Sequence, residues 1–179
     1  MVYTKTLIAT ALASVALIFS HVQAAPVTTT PARGQIGAIV DKDNFCFFLP
    51  PKKGGNIAAN EDKAVAFCTA ELAAAPKASI FPPGFIQTAF FDEDKTKGWV
   101  QVTGRMNITT YSLSRKDGGG QYDIKAPVGS SCAGYNHYVN LVEPSDGVYC
   151  IRCCKEKIDC NTGKSQYGCK TVLPGARYA

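Results

Sequence analysis

Cysteine placement constrains this chain more than any other feature. Of its eight cysteines, Cys46 and Cys68 stand alone in the first half, while Cys132, Cys150, Cys153, Cys154, Cys160 and Cys169 all lie at residue 132 or later. The spacing after residue 131 is C-x17-C-x2-C-C-x5-C-x8-C. An even count in a short chain reads as four disulfides when the protein matures in an oxidising compartment, with roughly a hundred pairings open. Cys150-x-x-Cys153 also fits a redox pair, but that wants a thioredoxin-like βαβ context, which the sequence lacks. A zinc site wants CxxC pairs set apart by a loop and competes poorly with oxidation. Structural disulfides are the expected use, and no metal or other cofactor is expected. Adjacent Cys153 and Cys154 cannot easily bond each other, so they should leave in different directions.

The compartment is written at the start. Lys5 precedes a largely apolar 13-residue stretch, Leu7 to Phe19. A spanning helix needs roughly 20 apolar residues, so this one is short. Val22-Gln23-Ala24 places small residues for cleavage before Ala25. Residues 1–24 are therefore expected to be a secretory signal peptide. No transmembrane segment is expected in the remainder, and the product should be secreted, extracellular or cell-wall associated.

Residues 25–34 form a flexible Thr/Pro leader, with Thr28, Thr29 and Thr30 open to O-glycosylation. Residues 35–149 read as a β-rich core and 150–179 as a basic, disulfide-tied C-terminal segment. The chain's net charge of +5 includes Lys5 of the signal. The rest sits in the last segment, where Arg152, Lys155, Lys157, Lys164, Lys170 and Arg177 face only Glu156 and Asp159. A basic, rigid tail could meet anionic wall polymers or membrane surfaces. Nucleic acid is not implied by so mild a charge. The tail has almost no apolar run, so crosslinks rather than a core of its own should hold it.

Strands are expected at Gln35–Val40 and Phe45–Leu49, the latter closed by Pro50-Pro51. The Ala-rich stretch 60–75 predicts a helix or helical turn, with a strand over 64–68 as the alternative. Phe85–Phe91 and Trp99–Arg105 read as a hairpin around the charged run 92–98. Its second arm alternates, putting Val100, Val102, Met106 and Ile108 inside and Trp99, Gln101, Thr103, Arg105 and Asn107 on a wet face. Tyr138–Glu143 alternates again. The Gly-rich run Asp117–Asp123 lacks both the calcium and the phosphate-loop rhythms, so a connection needing positive φ is its expected use.

Little of this points to catalysis. There is no G-x-S-x-G, and past the signal His137 is the one histidine left for any triad. Asp117, Asp123 and His137 are weak catalytic candidates. Glycoside hydrolysis survives because it needs only two carboxylates at suitable separation. Carbohydrate binding is the stronger reading. Trp99, Tyr122, Tyr135 and Tyr138 offer ring faces, and Gln101, Asn136 and Asn140 offer amides beside them. Asn107-Ile108-Thr109 is an N-glycosylation acceptor.

Several motifs occur in one order: Phe45-Cys46-Phe47-Phe48-Leu49-Pro50-Pro51, Phe67-Cys68-Thr69, Trp99-Val100-Gln101-Val102-Thr103-Gly104, Asp117-x-Gly119-Gly120-x-x-Asp123, Cys150-Ile151-Arg152-x-Cys154 and Gly168-Cys169. Together they resemble the secreted fungal macrofage-activating-glycoprotein-like family over about residues 36–175. The resemblance implies a secreted or wall-associated fungal glycoprotein and brings no catalytic residue or ligand. It implies that Cys132 and Cys153 are the extra thiols and pair with each other, with Cys46–Cys68 as the local pair.

The expected fold is mainly β, a compact single-domain sandwich or partly closed barrel with at most one or two short helices and a disulfide-stapled C-terminal segment. The expected function is a non-catalytic, monomeric, secreted fungal glycoprotein that contacts cell-wall polysaccharide or a host surface molecule. The alternative is a small secreted carboxylate-dependent polysaccharide hydrolase.

Overall fold

The computed structural model describes residues 34–123, 127–164 and 167–179. The expected signal peptide and nearly all of the expected leader lie outside the described residues. Among these, ten strands form two five-stranded sheets. Sheet one runs β4-β3-β2-β1-β8, built from β1 (Ile36–Ile39), β2 (Phe45–Leu49), β3 (Val65–Cys68), β4 (Ser79–Ile80) and β8 (Ser131–Cys132). Sheet two runs β5-β6-β10-β9-β7, built from β5 (Phe90–Asp94), β6 (Trp99–Arg105), β7 (Gly120–Tyr122), β9 (His137–Glu143) and β10 (Val148–Cys154). The two sheets share one core and make an open sandwich, not a closed barrel. One short helix, α1 (Gly168–Val172), follows.

The core forms where the aromatic-rich β2 meets β10. Phe45 and Phe47 stack on Tyr149 with ring centroids 5.9 and 4.7 Å apart, and Phe48 lies 5.2 Å from Tyr138. Offset ring pairs of this kind add to simple burial. The hairpin of β5 and β6 forms as expected, and Asp94 pairs with Trp99 across its tip. Part of the charged run, Asp92 to Asp94, belongs to the strand itself.

Two glycines of the sequence motifs are fixed by close approach. The N–H groups of Gln87 and Thr88 both donate to the Arg105 carbonyl, at 2.9 and 3.3 Å, which is the two-against-one pattern of a β-bulge. Gly104 lies directly against the Thr88 carbonyl there, and a Cβ would collide with it. Gly119, at φ +100°, is equally tight against the Val142 carbonyl, so the Gly-rich run does serve as a connection needing positive φ.

The helix expected over 60–75 does not form. Ala58–Asn60 makes a single 3-10 turn, and Val65–Cys68 is strand β3, the alternative reading. Alanine's helix preference is worth only tenths of a kcal/mol per residue. Pairing along β2, with Cys46 directly opposite Cys68 and bonded to it, outweighs that preference.

The wet face expected on β6 is also corrected. Gln101 is 4% and Thr103 1% exposed. The C-terminal segment lies over them, and it does build a core. Cys160, Cys169, Val172 and Leu173 are fully buried with Val139, Leu141, Cys150 and Cys154 in a second cluster on the outer side of sheet two. The Thr103 hydroxyl donates to the Arg177 carbonyl at 2.5 Å and the Thr88 hydroxyl to that of Tyr178 at 3.0 Å. The molecule is thus layered as sheet one, sheet two and tail.

The disulfides follow these layers. Cys46–Cys68 braces sheet one, Cys132–Cys153 joins β8 to β10 across the sandwich, Cys150–Cys169 pins α1 to β10, and Cys154–Cys160 closes the turn after β10. Cys153 and Cys154 do leave in opposite directions, as adjacent strand positions must.

Candidate functional site

The aromatic platform expected on β6 is closed. The Arg152 guanidinium sits 4.1 Å above the Trp99 ring centroid. Its Nε and Nη2 both donate to Gln101 Oε1, at 2.9 and 2.6 Å, and its Nη1 donates to the Asp159 carbonyl at 2.9 Å. Burial lowers the Arg152 pKa, opposed by the negative charges of Asp159 and Asp92. Gln101 is buried and Trp99, half-buried, has one ring face taken by the arginine, so the pair does not form an open sugar platform.

The tyrosines divide. Tyr122 is wholly buried, and that burial pushes its phenol pKa well up. It cannot meet a ligand. Tyr135 is half-buried with Lys155 Nζ 5.0 Å from its ring. Tyr138 packs its ring on Phe48 but turns its hydroxyl to Ser130 Oγ at 2.6 Å. Asn140 is fully buried in the core and is likewise closed to ligand.

The catalytic candidates also part company. Asp117 is buried, and its carboxylate accepts the N–H groups of Ile57 at 2.8 Å and Gly119 at 3.0 Å. It is a loop brace. Asp123, His137 and Tyr138, by contrast, come together in one cleft of about 440 Å³ with Ser130, Ser131, Asn136, Lys157 and Thr162. That volume falls in the range of roughly 300–1,000 Å³ typical of small-ligand sites.

Four segments build this cleft. β9 begins at His137, which pairs with Cys154 on β10. The Asn136 side chain donates to the Lys155 carbonyl at 2.9 Å and steadies the approach to β9. Residues 130 and 131 lead into β8, which the Cys132–Cys153 bond fastens beneath. Asp123 follows β7 and accepts the Gly163 N–H at 2.7 Å, drawing the segment after the 3-10 turn Lys157–Cys160 onto the cleft. The Cys154–Cys160 bond fixes that turn, and with it Lys157.

The chemistry on offer is polar and balanced. Hydroxyls come from Ser130, Ser131 and Thr162, an amide from Asn136, an imidazole from His137, one carboxylate from Asp123 and one ammonium from Lys157. Among the described lining residues Asp123 is the one carboxylate, so no facing acid pair is present in this cleft. Ser130 spends its hydroxyl on Tyr138 rather than on an imidazole. Ser130, Ser131, Lys157 and Thr162 were not legible beforehand, because the cleft unites segments remote in sequence. The signal that existed was the polar pair Asn136-His137 at the head of an alternating strand.

A larger cavity, about 810 Å³, lies over β3 between Gly34 and the loop 70–79. Ala70, Ala73, Ala75 and Ala78 form much of its wall, with Glu71 and Lys77 the charged side chains lining it. It brings together none of the candidate catalytic or sugar-binding residues. At the glycan acceptor, Asn107 is half-buried at the head of the 3-10 turn Ile108–Tyr111. Its Oδ1 accepts the Thr109 hydroxyl at 2.7 Å and N–H at 3.2 Å. The amide nitrogen has no partner among the described residues.

Among the described residues no group of three or more His, Cys, Asp or Glu is placed to hold a metal ion. Nor is any helix there long and apolar enough to cross a membrane. Comparison with protein-family models, with curated proteins and with solved structures finds no match to this chain.

Proposed function

We propose that the protein is a secreted, non-catalytic, cysteine-rich fungal glycoprotein that binds a neutral glycan of a cell wall or host surface in the Asp123–His137 cleft. The observation that carries this reading is the balance of the lining. One carboxylate and one ammonium offset each other, and hydroxyl, amide and imidazole groups surround them. Sugar hydroxyls donate and accept at once, so a mixed, net-neutral set of this kind serves them better than it serves an ion. Four disulfides support an extracellular setting.

The test is an array of neutral wall oligosaccharides (β-glucan, chitin and mannan fragments) run beside a polysaccharide-hydrolysis panel. Binding without turnover is expected, weakened roughly tenfold by His137→Ala or Ser131→Ala, as loss of one or two ligand hydrogen bonds would give. Turnover abolished by Asp123→Asn would replace this reading with the hydrolase.

A further inference from the structure

The C-terminal segment carries the sequence's charge excess, yet the fold consumes half of its cations. Arg152, half-buried, lies over Trp99, Lys155 donates to the Gly134 carbonyl at 2.5 Å, and Arg177 lies 4.9 Å from the Phe90 ring. A different cationic cluster stands free. Lys52 and Lys53 lie in the loop after β2, and Arg115 and Lys116 in the loop after the 3-10 turn Ile108–Tyr111; all four are exposed.

These two loops are remote in sequence but knitted together. The Tyr111 hydroxyl donates to the Pro50 carbonyl at 2.7 Å, and the Gly54 N–H donates to the Tyr111 carbonyl at 2.9 Å. Asp117 Oδ2 accepts the Ile57 N–H at 2.8 Å. Each cation pair sits between such ties, and two or three residues cannot stray more than roughly 10 Å from them. Of the nearby carboxylates, Asp117 is buried and aimed inward at backbone amides, and Glu61 is half-buried with its carboxylate beside Gly120. The ion pairs among the described residues are Lys42–Asp43 and Lys95–Glu93, so none of the four cations is neutralised by a partner.

We propose that Lys52, Lys53, Arg115 and Lys116 form a docking surface for an acidic polysaccharide, a chain bearing carboxylate or sulfate groups. Neighbouring side chains decide between polyanions. Asn56, Ser112 and Ser114 are exposed in the same loops and can hydrogen-bond sugar hydroxyls. The exposed large apolar residues, Val40, Ile80, Val128, Ile158 and Tyr167, all lie outside these loops. A membrane surface would use apolar anchors beside the charge, and a single-stranded nucleic acid would use aromatic faces. Neither is present there.

The test measures binding of the full secreted chain to polygalacturonate, dextran sulfate, neutral dextran and phosphatidylserine-containing vesicles over a salt series. Retention on either acidic polymer and not on dextran is expected, falling as salt rises. The variant Lys52→Ser/Lys53→Ser/Arg115→Ser/Lys116→Ser should bind at least roughly tenfold more weakly with a shallower salt dependence, since each exposed charge contributes a factor of a few. Lys164→Ser/Lys170→Ser should bind like the parent. The two half-variants, Lys52→Ser/Lys53→Ser and Arg115→Ser/Lys116→Ser, guard against misfolding and should each lose part of the affinity. Equal binding by parent and quadruple variant, an equal loss in the Lys164/Lys170 control, or binding to vesicles alone would overturn the proposal.

Discussion

The side-chain oxygen of Asn140 accepts the backbone N–H of Phe48 at 2.9 Å, across the interior between the two sheets. Asn140 is fully buried, and its amide nitrogen donates to the Cys150 carbonyl at 3.0 Å. One polar side chain therefore satisfies a sheet-one donor and a sheet-two acceptor where water cannot reach.

Asn140→Leu should keep the volume but strand both groups. Each unsatisfied buried group costs about 1–3 kcal/mol. A large drop in urea midpoint with an unchanged m-value is the expected outcome. Asn140→Asp, which keeps the acceptor but buries a charge against the Cys150 carbonyl, should cost more at neutral pH than in acid. A midpoint within error of the parent would remove Asn140 from the account of sheet pairing.

Cutting the Cys150–Cys169 bond by substitution to Ala should release the outer layer. The bond closes a loop of sequence separation 19 and is worth about 2–4 kcal/mol. Its distinctive consequence is exposure of Val139, Leu141, Gln101 and Thr103 on sheet two. Dye binding to apolar surface and a shift in Trp99 fluorescence should report that. Removing Cys46–Cys68 instead should destabilise the fold without either signal, because that bond lies in the other sheet.

Glu143 supplies a pH dependence. Burial raises its carboxyl pKa, opposed by the Cys169 N–H, which it accepts at 3.1 Å. Nearby Asp146 raises it further and Lys170 lowers it. A folded pKa above the unfolded one means the native state holds the proton more tightly. Its stabilising contribution is complete below the unfolded pKa and is lost as pH rises through the folded value. Glu143→Gln, which retains an oxygen for Cys169, should match the parent in acid and become relatively more stable above the ordinary glutamate range. Parallel stability curves for the two proteins would refute this.

Local pattern carried much of the fold. Alternation along Trp99–Arg105 and Tyr138–Glu143 marked strands, because a strand's two faces differ whatever covers them. The same alternation misjudged Gln101 and Thr103. It separates one face from the other but says nothing of a third layer arriving from residues 167–179. Trp99 was misread for the same reason, since Arg152 meets it only when β6 and β10 pair. The 60–75 stretch failed because alanine is permissive and β2 decided its conformation. The cleft was half legible. Asp123, His137 and Tyr138 stood out by type, but their company with Ser131, Lys157 and Thr162 depends on the Cys154–Cys160 turn and the Asp123–Gly163 contact.

Three of the four disulfides begin on β10, at Cys150, Cys153 and Cys154. In mechanical terms that strand is where the load converges. Tension applied beyond Cys169 enters the centre of sheet two through Cys150. Tension applied ahead of Gly34 passes from β1 to its parallel neighbour β8 and reaches the same strand through Cys153. A pull at the C-terminal end is thus borne by the Cys150–Cys169 bond and by β10, a central strand paired along both edges, and not by the packing of the outer layer alone.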